Sequence, residues 1–199
     1  MTAGGSLFSQ SLVVNGVQPT KLEMLVTSTP GSVVERHVLG SLSSGDTRAT
    51  FSTIVARESP NCCPPPLTGV EVRMQQGNRD ATVYLGAEGL EGFQSSLAAL
   101  VAKRDELYKK KDWGRTTVRF FIRLPAELGG RNGVSNVINA GWYRDGSESG
   151  VTLDCAHGGI FNFPNADLRD VEKLIGSART ALEPLTPPQD APARSRRDR

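Results

Sequence analysis

Histidine and cysteine are scarce in this chain, with two of one and three of the other among 199 residues. The cysteines, Cys62, Cys63 and Cys155, are odd in number and two of them are adjacent, which does not suit a disulfide framework. There is no spaced cysteine pair and no histidine pair, so the usual zinc motifs are excluded and no metal is expected. A glycine-rich phosphate loop, a paired-carboxylate motif and a cofactor fingerprint are also missing, and no cofactor is expected. No stretch approaches the roughly 18 apolar residues of a membrane span. The opening "MTAGGSLFSQSLVVNG" lacks the basic start and long apolar run of a secretory signal. The expectation is a soluble, cytoplasmic protein without a membrane partner, nucleoid-associated if bacterial. Charge of one sign is lacking as well. With 23 Lys+Arg against 21 Asp+Glu, the chain as a whole has no general attraction for nucleic acid, and such binding needs a local patch.

What the chain has in quantity is glycine and proline, 21 and 12, set between periodic segments. "GVEVRMQQGNRDATVYLG" reads as two alternating strands around a Gly-Asn turn, and "GVTLDCAHGGIFNFP" as two more around Gly158-Gly159. Each pair leads into a helical pattern. Leu90, Phe93, Leu97, Leu100 and Val101 share one face in the first, and Leu168, Val171, Leu174, Ile175, Ala178 and Leu182 share one in the second. Leu90, Phe93 and Leu97 match Leu168, Val171 and Ile175 at a constant offset, and Val83 and Leu85 match Phe161 and Phe163 at the same offset. Strand end, cap and first helical turns are therefore expected in register in the two halves.

Further strands are expected in "SVVERHVLG", "ATFSTIVARE", "TTVRFFIRLP" and "VSNVINAGWYRD", with "KLEMLVTS" as an extra strand at the front. The fold class is α+β, two β-β-β-β-α repeats with antiparallel sheets and helices packed on one face. The boundaries are an N-terminal segment 1–20, a first repeat 21–111, a second repeat 112–185 and a disordered basic tail 186–199. "SPNCCPPPL" reads as an extended connector. In "DCAHGG", Cys155 and His157 share a strand face while Asp154 points the other way, so the three do not form one catalytic site. A buried structural cysteine and a turn histidine are expected there. No catalytic residue is assigned, and the chain is expected not to be an enzyme.

The strand 116–125 puts an aromatic ring between two guanidinium groups on one face, Arg119, Phe121 and Arg123. A ring or guanidinium plane on a flat sheet stacks unpaired bases while neighbouring cations hold phosphates. "VINAGWYRD" adds Trp142, Tyr143 and Arg144, where either the Trp142 and Arg144 pair or Tyr143 faces out, depending on register. In the first half the counterparts are Arg36, Arg73 and Tyr84, with Lys109, Lys110, Lys111 and Arg115 near the junction. Other readings stay open: Phe121 covering a second sheet or a dimer partner, Trp142 in the core, and the lysine run as a solvated helix end facing the dipole.

Tandem β4α units with outward-facing sheets and aromatic-plus-arginine strands resemble the Whirly proteins of plants, the PUR repeats and the kinetoplastid mitochondrial RNA-binding proteins. The likeness spans about residues 20–185 and lies in element order, so it carries no individual binding residue over. It implies a single-stranded nucleic-acid partner, DNA ahead of RNA, with a role in genome maintenance or DNA repair. The alternative is a protein-interaction or oligomeric scaffold, a homodimer or larger homo-oligomer, whose sheet faces bind another chain.

Overall fold

A computed structural model of the chain describes residues 20–59, 65–109, 138–155 and 159–185, and residues 118–122 as backbone. The order is α1 (Lys21–Ser28), β1 (Val33–Ser44), β2 (Thr47–Arg57), β3 (Leu67–Gln76), β4 (Arg79–Gly86), α2 (Ala87–Tyr108), β5 (Val118–Ile122), β6 (Asn139–Asp145), β7 (Glu148–Cys155), β8 (Gly159–Pro164) and α3 (Leu168–Leu182), closed by a 3₁₀ turn (Glu183–Leu185). The strands form two antiparallel four-stranded meanders, β1-β2-β3-β4 and β5-β6-β7-β8. The protein is thus α+β, and four strands followed by a long helix occur twice. Tight turns make this possible: Gly45, Gly77 and Gly146 each adopt positive φ where one strand reverses into the next.

The expected extra strand at the front is a helix. Thr20 caps α1, its hydroxyl accepting from the Glu23 N–H at 3.1 Å, and Leu22 and Leu25 fall on one buried face. Thr20 and Glu23 stand at capping-box spacing, a stop-and-start signal that overrides the β character of a single valine and threonine. The two long helices also begin differently. β4 and β8 end in register, at Gly86 and Pro164, but α2 starts at once while Asn165, Ala166 and Asp167 precede α3. Asn165 takes φ 62°, and Asp167 caps the helix by accepting from the Arg169 N–H at 2.8 Å. The expected matching caps are therefore three residues out of step, while the apolar faces remain in step.

Those faces build a single core. Leu90, Phe93 and Leu97 of α2 and Leu168, Val171 and Ile175 of α3 share one cluster with Phe51, Val72 and Val83 of the first sheet and Trp142, Leu153, Phe161 and Phe163 of the second. Leu174 is partly buried at its margin, where it approaches Gly40; a Cβ at position 40 would lie 2.8 Å from its methyl. Cys155 belongs to this core, as the strand alternation predicts. No described helix is long and apolar enough to cross a membrane.

The second sheet meets the first end-on. Ser44, Thr47, Gln76 and Arg79 form one row across the turn end of the first sheet. The two ends of that row grip β8: the Ser44 hydroxyl donates to the Pro164 carbonyl at 2.6 Å, and the Arg79 guanidinium donates to the Ile160 carbonyl at 3.5 Å. Arg79 also lies 5.1 Å above the Phe161 ring. Edge carbonyls of β8 that would otherwise invite a further strand are thereby occupied.

Leu97 and Ile175 have no exposed surface. Leu97→Asp and Ile175→Asp each bury a charge, and each is expected to abolish cooperative thermal unfolding or soluble expression. Wild-type melting of both variants by circular dichroism would show that the helix pair is not the core.

Candidate nucleic-acid interface

Strand alternation gives each sheet a face toward the helices and an outer face. On the first sheet the outer face carries Val34, Arg36 and Val38 of β1, Ser52, Ile54 and Ala56 of β2, Gly69, Glu71 and Arg73 of β3, and Thr82 and Tyr84 of β4. It is not wholly open. Helix α1 lies on it, packing Leu22 and Leu25 against Ile54, Ala56 and Tyr84. Gly69 makes the approach possible, since a Cβ there would stand 2.5 Å from a Leu22 methyl. This cover buries Tyr84, so the ring is not an exposed stacking surface. Burial and the nearby Glu71 charge push the Tyr84 hydroxyl above its ordinary pKa, against the pull of Arg36 and Arg73.

Beyond α1 the face is polar, and Arg36 and Arg73 converge there on one carboxylate. Arg36 Nε stands 3.0 Å from Glu71 Oε2, and Arg73 Nε 2.7 Å from Glu71 Oε1. The Glu71 side chain is 1% exposed, whereas those of Arg36 and Arg73 are 37% and 55% exposed. Burial works against the charge on Arg36, but the Glu71 hydrogen bond and charge outweigh it and hold the guanidinium above its usual pKa. Both arginines are surface groups, as the alternation predicts. Glu71, which organises them, was not among the residues singled out in the sequence, because the β1-to-β3 contact crosses a whole strand. A bulge at Val38–Gly40 sets its register, and no local pattern encodes that.

On the second sheet the register pairs Arg119 with Tyr143 and Phe121 with Gly141, while Phe120 pairs with Trp142. Positions 119 and 121 therefore share the outer face with Tyr143, and position 120 shares the helix face with Trp142. Trp142 is a core residue, 2% exposed, with its ring 5.3 Å from that of Tyr108. Of the two parities left open by the sequence, the one that turns Trp142 and Arg144 outward is ruled out: apolar Ile138, Ala140 and Trp142 all face the helices, which gives Tyr143 the outward parity. Arg144 lies at the rim of that side, its guanidinium 5.6 Å from the Tyr108 ring and its Nε donating to the Gly146 carbonyl. Tyr143 has the outward parity but is buried too. Its hydroxyl sits over Gly150, 2.9 Å from where a Cβ would be, and the neighbouring Thr152 is also buried. Lys109 is exposed at the end of α2. Lys110, Lys111, Arg115 and Arg123 lie outside the described residues, as do Cys62, Cys63, His157 and the tail 186–199.

A second polar cluster joins the halves where α2 ends and α3 begins. Arg104, 4% exposed, pairs with Asp105 at 3.0 Å and with Asp167, and Arg169 reaches Asp105 at 2.6 Å. With Tyr108, Trp142, Ser149, Asn165 and Ala166 they line a cleft of about 340 Å³. Every charged side chain in it is paired, which suits a clamp between helices. Among the described residues no group of three or more His, Cys, Asp or Glu side chains is placed to hold a metal ion. No protein-family model, curated protein or solved structure matches the chain.

Burial pushes the Asp167 carboxyl up, but the Arg169 N–H and the Arg104 guanidinium pull it further down, leaving it below the usual carboxylate range. A carboxyl lowered in the folded state stabilises above its unfolded value of about 4, and that stability is lost as pH falls through the folded value. Asp167→Ala is expected to cost about 1–2 kcal/mol near neutral pH, from the lost cap and ion pair. The gap in melting temperature from wild type should shrink as pH falls below the unfolded carboxylate value of about 4. A gap that is constant or grows in acid would contradict the assignment.

Proposed function

We propose that the chain is a non-catalytic binding protein for single-stranded nucleic acid, DNA ahead of RNA, held on the outer sheet faces by base stacking and arginine–phosphate contacts. The observation that supports this reading is the β5–β6 register, in which positions 119 and 121 pair with Tyr143 and Gly141 and so have the parity opposite to that of the core residue Trp142. Arg36 and Arg73 supply cations on the corresponding face of the first sheet. Base stacking is sequence-tolerant because every base has a π-face, and sheet faces of this composition suit it. Tyr84, Trp142 and Tyr143 are buried and drop out of the platform, and the reading gives the stacking role to Phe121. The proposal includes an internal duplication of Whirly or PUR type, supported by the doubled element order and by matched core residues at Leu90/Leu168 and Leu97/Ile175.

A second reading has one observation in its favour. Val38, on the outer face of edge strand β1, is 70% exposed, and an exposed β-branched residue on a twelve-residue edge strand suits a protein contact. Fluorescence anisotropy separates the two. A labelled single strand of about 20 nucleotides should bind more tightly than blunt duplex, and more weakly as salt rises, because phosphate contacts release counterions. Phe121→Ala should weaken that binding by about 1–3 kcal/mol with little change in melting temperature. Trp142→Ala should instead lose about 3–5 kcal/mol of stability. Equal, negligible binding of single strand and duplex would put the protein-contact reading first.

A further inference from the structure

We propose that Glu71 is a positioning residue that builds a phosphoryl-binding site from Arg36 and Arg73 on the outer face of the first sheet. The starting observation is an unusual use of charge. Glu71 sits in mid-strand, where its alternation partners on β3 are Gly69 and Arg73 and its cross-strand neighbours are Ser52 and Tyr84. Burying a carboxylate at such a position is costly, and one cation is enough to neutralise it. Two are provided, one on each oxygen, from strands β1 and β3. Arg36 reaches its partner by crossing β2, where the residue paired with Glu71 is the short Ser52.

Two guanidinium groups held this close repel each other, and the shared carboxylate is what keeps them together. Each faces it through Nε, and neither has another acidic partner among the described residues. The cluster therefore has two cations against one anion, with its cations at the surface and its anion beneath. Guanidinium groups anchored through Nε on one carboxylate keep terminal N–H donors for the oxygens of a phosphoryl group, and they lose less rotamer freedom on binding than free arginines do. A purely structural role accounts for one arginine on Glu71 but not for the second, which leaves a positive charge exposed. The ligand class is a phosphoryl oxyanion, supplied either by a free phosphate compound or by a nucleic-acid backbone. The backbone source rests on the function proposed above; the site itself does not.

The test uses the full chain with two probes, inorganic pyrophosphate by titration calorimetry and a labelled oligothymidylate of about 20 nucleotides by anisotropy. Arg36→Ala combined with Arg73→Ala should lower affinity for whichever probe binds by about tenfold or more, in line with the loss of charged hydrogen bonds. Glu71→Gln is the decisive variant. Removing a negative charge strengthens anion binding if the arginines act only as charges, whereas loss of their positioning weakens it several-fold. Weaker binding by Glu71→Gln supports the site, and equal or tighter binding overturns it. If that variant fails to fold by circular dichroism, the double alanine variant decides, and unchanged binding overturns the proposal. Pyrophosphate binding without oligonucleotide binding supports the site and sinks the single-strand reading. Oligonucleotide binding that survives intact in the double variant, without pyrophosphate binding, sinks the site and leaves the single-strand reading standing.

Discussion

A four-stranded sheet is wider than one helix, and this constraint organises the whole molecule. Four strands spaced at about 4.8 Å present a face on the order of 19 Å across, while a helix with its side chains covers about 10 Å. Each sheet is followed by only one helix, so neither half can close its own apolar face. The chain solves this by sharing helices. On the first sheet α3 lies against β1, β2 and β3 while α2 lies against β3 and β4, and α2 also meets β5 and β6 of the second sheet. The residue faces that meet there, centred on Phe93, Leu97, Val171 and Ile175, belong to both halves at once. The Arg104–Asp167 and Arg169–Asp105 ion pairs then tie the C-terminal end of α2 to the start of α3.

Everything outside this core follows from where the helices go. With α3 and α2 on the inner face of the first sheet and α2 reaching β5 and β6, the opposite faces turn outward and need their own protection. The first sheet receives α1 over Ile54, Ala56 and Tyr84, which leaves the Arg36–Glu71–Arg73 cluster beside the cover. The edge of β8 is closed by Ser44 and Arg79 from the turn end of the first sheet. Edge strand β1 stays partly open, with Val38 exposed. Beside α1, the outer face of the first sheet is thus polar, with Arg36 and Arg73 at its surface.

Much of this was legible in the sequence, for physical reasons that differ by element. The hairpins 67–86 and 148–164 and the helices α2 and α3 announce themselves through strong period-2 and period-3.6 patterns, and their matched apolar residues all reach the core. Helix α1 was hidden because eight residues hold too few turns to show a period, although Thr20 and Glu23 carried its capping signal. Trp142 and Tyr143 could not be assigned from alternation alone, since β6 is apolar on both faces and is buried from Ala140 to Tyr143. The Glu71 cluster was illegible for another reason. Arg36 and Arg73 are visible as outward cations, but their meeting on a buried carboxylate depends on cross-strand register, which is a tertiary property.

The central claim, one core shared by two sheets that cannot close alone, is tested most directly by native-state hydrogen exchange on the full chain. The amides of Val72 in β3 and Leu153 in β7 should exchange through the same global opening. Phe93→Ala, a truncation expected to cost about 3–5 kcal/mol, should lower the protection of both by the same amount. If Leu153 kept its protection while Val72 lost it, the two halves would be separate folding units, and the shared-helix account would be wrong.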